Sequence, residues 1–265
     1  YTERLLTQKG FSFQRVEAFT AHDVAYRVKE EVTSTQNIIK PNIKEIACIA
    51  SHLHAMWLAV NDNTSPTSSF PYALIIEDDV KFEFDIDWLG LIEDAPKDFT
   101  ILQITTSNDE MVDQLWKQYV KENPATSLPH LRGGDKGGGS DVEGDASLPS
   151  KSLWYKRQQW TDPLWSTQAY VIHKERVRSE LFKYVTPAVT GLPMIKIIPP
   201  SIFTCRATPC IIPFRVVADI YLYLVFSPSY MCRIPLLNGA ASEDHAGIDS
   251  YIQSSEAVDG HKRKF

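Results

Sequence analysis

The sequence contains no run of about 18 apolar residues, the length a helix needs to cross a bilayer. Its longest candidate, Ile211 to Phe226, is interrupted by Pro213, Arg215 and Asp219. No signal peptide is visible. A basic excess is also missing: Lys and Arg number 27 against 33 Asp and Glu, a formal net charge of -6. Nucleic-acid binders usually carry a basic surface, so this balance argues against one. It leaves room for an anionic substrate, because a bound cation can supply local positive charge. There is no P-loop signature, which argues against one large class of phosphoryl-transfer enzymes. Neither an internal repeat nor a heptad pattern is present. Cysteine is scarce, with four residues at 48, 205, 210 and 232. Cys205 and Cys210 are close enough for a loop disulfide or a metal pair, but four thiols in a chain this long are more often simply buried. No second Cys/His cluster completes a zinc site.

What is there is ordinary for a globular protein: 265 residues, 43% hydrophobic and 23% charged, enough for one large domain or two small ones. Ile43 to Val60 reads as an amphipathic helix with apolar residues at Ile46, Ile49, Leu53, Trp57 and Val60. Asn42 with Glu45 three positions on forms a capping-box pattern at its start. Residues 61 to 71 read as a polar loop, which holds a glycosylation sequon at Asn63-Thr64-Ser65. Strands are expected at 72–76, 99–104 and 165–172, and helices at 87–93, 108–120, 174–184 and 216–226. Residues 187–215 read as loop and short strands. Strands alternating with helices predict an α/β layer fold with a mostly parallel sheet flanked by helices. The whole chain reads as one domain, with a glycine-rich, flexible insertion at 123–150 and a polar tail from about 239. Residues 131–147 carry little apolar anchor and are expected to be mobile and dispensable for folding.

The most informative segment is Glu77-Asp78-Asp79-Val80, which follows the apolar run Tyr72-Ala73-Leu74-Ile75-Ile76. Burying an unpaired carboxylate costs several kcal/mol or more, so these three must sit where the strand emerges. In open α/β sheets the carboxyl edge is where ligands bind. Clustered carboxylates there can seat a hard divalent cation, and such a cation is a natural partner for a diphosphate. Glu-Asp-Asp runs are also common as solvated turns.

Several segments in order resemble glycosyltransferase family 25, the group of lipooligosaccharide and procollagen galactosyltransferases. They are Gly10 to Phe19, Glu45-Ile46-Ala47-Cys48-Ile49-Ala50-Ser51-His52, Leu74 to Val80, Thr167-Gln168-Ala169-Tyr170-Val171-Ile172 and Val217-Ala218-Asp219-Ile220-Tyr221-Leu222. The family pattern starts with an apolar strand and an Arg-containing turn, and this sequence opens within that turn at Tyr1-Thr2-Glu3-Arg4. The glycine-rich insertion has no counterpart in the family pattern. The resemblance implies a GT-A-like, Rossmann-like fold and a hexosyltransferase of inverting mechanism. It also implies a nucleotide-sugar donor such as a UDP-sugar, a glycan or protein-linked hydroxyl acceptor, and a divalent cation, Mn2+ or Mg2+.

Within that frame Asp79 is the first candidate for the cation, with Asp78 and Glu77 beside it. An inverting transfer needs a base near the acceptor hydroxyl, and the resemblance places Asp219 there; a helix cap is an equal alternative for an Asp at that position. Ser51, His52, Gln168 and Tyr170 are candidates for the donor or substrate pocket. For His52 a partly buried structural role competes, and for Tyr170 and Trp165 ordinary core packing does. His54, two positions from His52, falls on a different helix face. A catalytically silent relative, a binding or scaffold domain on the same fold, is the alternative to the enzyme.

Overall fold

In the computed structural model the described residues are 2–8, 10–30, 38–39, 42–62, 69–78, 80–82, 86–106, 109–122, 152–157, 164, 166–189, 191–198, 214–215, 217–234 and 237–239. The sequon, the glycine-rich insertion, Trp165, Cys205, Cys210, the polar tail beyond 239 and Asp79 lie outside them.

Along the chain the elements are α1 (Thr2–Gln8), α2 (Ala21–Arg27), β1 (Val28–Glu30), β2 (Ile38–Ile39), α3 (Ile43–Asn61), β3 (Tyr72–Ile76), β4 (Val80–Phe82), α4 (Trp88–Glu93), β5 (Ile101–Gln103) and α5 (Asp109–Glu122). They continue with β6 (Trp154–Lys156), β7 (Ala169–His173), α6 (Lys174–Leu181), β8 (Val185–Thr186), β9 (Met194–Ile197), β10 (Phe214–Arg215), α7 (Ala218–Val225), β11 (Ser229–Cys232) and β12 (Leu237–Gly239).

Among the described residues a five-stranded sheet of order β3-β7-β5-β11-β6 forms the centre, beside one three-stranded and two two-stranded sheets. The expected mostly parallel sheet is not what forms. In the main sheet β3 and β5 both pair antiparallel with β7, β11 pairs antiparallel with β6, and only β11 with β5 is parallel. The reason is physical. Apolar patterning reports which faces of a strand are buried, not which way it runs. β7 lies between two neighbours and is buried on both faces, so it reads as the unbroken apolar run usual for parallel strands. One consequence of the expectation survives: β3, β5 and β11 all point the same way, so their carboxyl ends share one sheet edge with the amino end of β7.

The pleat sorts side chains into two cores with period two. Ile101, Tyr170 and Ile172 pack on one face with α3, α6 and α7 through Ile49, Leu53, Val177, Leu181 and Leu222. Leu102, Ile104, Ala169 and Val171 pack on the other with Leu91, Phe99, Trp154 and Tyr230. The chain is therefore a mixed α/β structure with a sheet covered by helices.

α3 carries the central helix of the first core, and its start is as read from sequence. Asn42 Oδ1 accepts from the Glu45 N–H at 2.9 Å, and the Asn42 N–H donates to Glu45 Oε2 at 2.8 Å. Ile46, Ile49, Leu53 and Val60 are buried as expected, Trp57 only in part. Asn42→Ala removes the cap and is expected to lower stability by about 1 kcal/mol, read as a shifted denaturant midpoint with an unchanged slope.

Candidate active site

Three elements converge on the shared edge. β3 ends at Ile76, and the Glu77 N–H continues its ladder by donating to Gln168 O at 2.8 Å. Because β3 and β7 are antiparallel with Ile76 opposite Ala169, the residues leading into β7 lie beside the end of β3. Thr167 thereby meets Glu77: its hydroxyl donates to Glu77 Oε1 at 2.8 Å. The same hydroxyl oxygen is 3.4 Å from Asp219 Oδ1, at the first turn of α7.

α3 closes the cluster from above the sheet. His52 Nε2 lies 3.2 Å from Glu77 Oε1, and its Nδ1 is 3.0 Å from the Tyr170 hydroxyl. Cys48 stands one turn before His52, on the same helix face. Burial, then the nearby charges of Glu77, Asp219 and Glu45, push its thiol well above the ordinary range, which keeps it protonated. Tyr223 donates its hydroxyl to Ser166 O at 2.8 Å, and its ring carries the Arg157 guanidinium at 4.2 Å. Arg157 also donates to Gln103 Oε1 and, at 3.0 Å, to Leu164 O.

The two carboxylates end up with opposite character. Burial pushes Glu77 up, but the His52 hydrogen bond and charge, with the Thr167 bond, outweigh it and leave the group below its usual range. For Asp219, burial and the negative charge of Glu77 outweigh the opposing influence of His52, Arg157 and Thr167, and the pKa is raised to about 6. An ionised carboxylate beside one poised near neutral pH is the arrangement from which acid–base roles are drawn.

The predicted site residues divide. Glu77, His52, Tyr170 and Asp219 come together. Asp219 is not the N-cap of α7; that position is Val217, and no side chain caps it. Tyr170 is fully buried and turns its hydroxyl to His52, so it packs in the core rather than presenting a stacking face. The Ser51 hydroxyl faces elsewhere, donating to Ala47 O and accepting from the Phe19 N–H, both at 2.8 Å. The Gln168 Oε1 accepts from Ser166 Oγ at 3.3 Å. Asp78 is exposed. His54 meets the Phe19 ring, away from His52.

Thr167 and Cys48 lay in the family-like segments but were not named as site residues, and Arg157 and Tyr223 were not singled out. The four-residue spacing of Cys48 and His52 was a usable signal, whereas nothing local marks Arg157, which arrives through β6.

Among the described residues no group of three or more His, Cys, Asp or Glu is arranged to hold a metal ion. Glu77 faces His52 and Thr167 through Oε1, and Asp79 lies outside the described residues. No helix among them is long and apolar enough to cross a membrane.

Residues 1–193 match the family model described as Glycosyltransferase family 25 (LPS biosynthesis protein). No curated protein and no solved structure matches the chain. The match includes α3, β3 and Thr167; Asp219 lies beyond it and joins the cluster through the fold.

Proposed function

Since the chain belongs to glycosyltransferase family 25, we propose that it moves a hexose from a nucleotide sugar, a UDP-sugar, to a hydroxyl of a glycan or protein-linked acceptor. The observation that carries this reading is the meeting of Glu77 and Asp219 at the Thr167 hydroxyl. It puts a carboxylate that can take a proton near neutral pH at the edge where three strands end. The GT-A-like character of the fold belongs to the same proposal and is supported by the acidic segment at that edge.

In this reading Asp219 removes the proton from the acceptor hydroxyl. The acceptor oxygen then attacks the anomeric carbon, and the nucleoside diphosphate leaves from the opposite face, which inverts the configuration. Glu77 holds His52 and Thr167 in place and is not assigned to the cation. A divalent cation, Mn2+ or Mg2+, is proposed for Asp79 with Asp78. Such an ion offsets the charge that grows on a leaving diphosphate.

The test is a panel of nucleotide sugars with several hydroxyl acceptors, with released nucleoside diphosphate as the readout, in Mn2+, in Mg2+ and in chelator. Release that depends on acceptor and is lost in chelator is the expected result. Absence of release with every donor would replace this reading with a silent binding or scaffold domain. Release undiminished by chelator would remove the cation.

A further inference from the structure

We propose that Thr167 is a positioning residue that ties the carboxylate of Asp219, carried on α7, to the acidic end of β3, through one hydroxyl that donates to Glu77 and lies within reach of Asp219. The inference rests on the glycosyltransferase reading for its role in turnover, but the bridge itself stands on geometry alone.

A hydroxyl has one proton to donate and two lone pairs with which to accept. Thr167 has two carboxylate neighbours, Glu77 Oε1 at 2.8 Å and Asp219 Oδ1 at 3.4 Å. The shorter distance is that of a good O–H···O bond and the longer that of a weak one, so Glu77 is the nearer acceptor and Asp219 the second. The remaining partners of Glu77 fix the same direction. Its Oε1 faces His52 Nε2 at 3.2 Å, and His52 Nδ1 faces the Tyr170 hydroxyl at 3.0 Å. Whichever way the His52–Tyr170 hydrogen bond runs, Nε2–H donates to Glu77 and Thr167 O–H donates to Glu77. Glu77 is then the common acceptor of the chain, and Asp219 lies on the far side of the same hydroxyl.

While Asp219 is ionised it is the second, more distant acceptor for that hydroxyl. When the Asp219 carboxylate takes the proton of an acceptor hydroxyl, the O–H bond of the acceptor breaks and an O–H bond forms on Asp219. The new O–H can point at Thr167 Oγ. Thr167 is almost wholly buried, so its orientation is set by the protein. The bridge also joins elements far apart in sequence: the end of β3, the approach to β7 and the first turn of α7. Without it α7 keeps its apolar face in the core through Leu222 and Tyr221, but its carboxylate loses its link to the strand end.

The test uses the full chain with Thr167→Val, which keeps the shape and removes the hydroxyl, and Thr167→Ser, which restores it. The first arm needs no activity. Denaturant midpoints are measured for Thr167→Val, Asp219→Ala and the double variant. A double-variant shift smaller than the sum of the two singles is expected, because both remove one contact; strict additivity overturns the bridge.

The second arm reads kinetics. Thr167→Val is expected to lower kcat about 10- to 100-fold, the scale of a misplaced reacting group, with KM for the nucleotide sugar within about twofold. Thr167→Ser is expected to recover most of kcat. Unchanged kcat in the Val variant, a change in KM alone, or a Ser variant as slow as Val overturns the positioning role. If Val is too unstable to purify, Thr167→Ala against Thr167→Ser gives the same comparison. A parent protein that transfers from no donor would defeat the proposed activity, while the midpoints would still decide whether Thr167 bridges the two carboxylates.

Discussion

Asp79→Ala is expected to take turnover to background while the protein unfolds at nearly the parental denaturant concentration. The cation proposed for the acidic segment is a hard ion that binds oxygen donors, and a site built on one or two carboxylates cannot lose one and keep the ion. Mn2+ titration followed by calorimetry should lose its signal in the same variant. Glu77→Ala gives a different pattern. It removes the acceptor shared by His52 and Thr167, leaving buried donors without a partner. Breaking such a pair costs about 2–4 kcal/mol at a partly exposed site, so this variant should lose stability as well as activity. Asp78→Ala, on the exposed side, should stay within about 0.5 kcal/mol of the parent. Because Glu77 is held below its usual range, its contribution is present above the ordinary carboxylate pKa and fades as the pH falls through the folded value. The gap between parent and Glu77→Ala should therefore narrow in acid. Should Glu77→Ala unfold like Asp78→Ala at neutral pH, the network does not hold this edge together. An Asp79→Ala enzyme that turns over normally places the cation elsewhere or nowhere.

Asp219→Asn separates a base from a structural carboxylate. The amide keeps the size and polarity of the side chain but takes no proton at neutral pH, so kcat should fall by about 10²–10⁴-fold, the range of general-base catalysis, with donor binding retained. Stability should move the other way. With its pKa raised to about 6 from 3.8, the carboxyl group binds its proton more tightly in the folded chain. The stability it contributes is full below about pH 4 and is lost as the pH rises through about 6. In protein free of divalent ions, the Asn variant should thus match the parent near pH 4 and exceed it above pH 6. A shift of this size corresponds to about 3 kcal/mol, of which partial exposure leaves about 1–2. Thermal melts of both proteins from pH 4 to pH 8 measure the difference. Normal turnover by the Asn variant would move the base elsewhere, and parallel melting curves would mean that burial and Glu77 do not raise the Asp219 pKa.

Much of the fold was legible because the signals were local. The capping pair Asn42 and Glu45, the 3.6-residue apolar spacing of α3, and the apolar runs of β3 and β7 each depend on a few neighbouring residues, and each produced the element expected of it. β11 was missed: Ser229-Tyr230-Met231-Cys232 is short and mixed in character, and it becomes a strand because β5 and β6 lie on either side of it. The direction of the strands was missed for a related reason. Burial on both faces leaves the same mark on a central strand whichever way it runs, so the reversed β7 could not be told from a parallel one.

At the candidate site the sequence alone determined the chemistry available: carboxylates at a strand end, a histidine on the facing helix, an aspartate opening a later helix, and an ordered set of segments that points to the family. Only the tertiary structure decided which of these meet. Ser51 and His52 are adjacent in sequence, yet one hydroxyl serves Phe19 and the other side chain serves Glu77, because successive helix positions point about 100° apart. Glu77 and Asp219 belong to distant segments, and no local pattern relates them. They share Thr167 because β7 runs antiparallel to β3 and brings its amino end to the edge where β3 stops. Pairing across a sheet is set by long-range hydrogen bonds and by which faces the helices can cover, and those are properties of the folded chain as a whole.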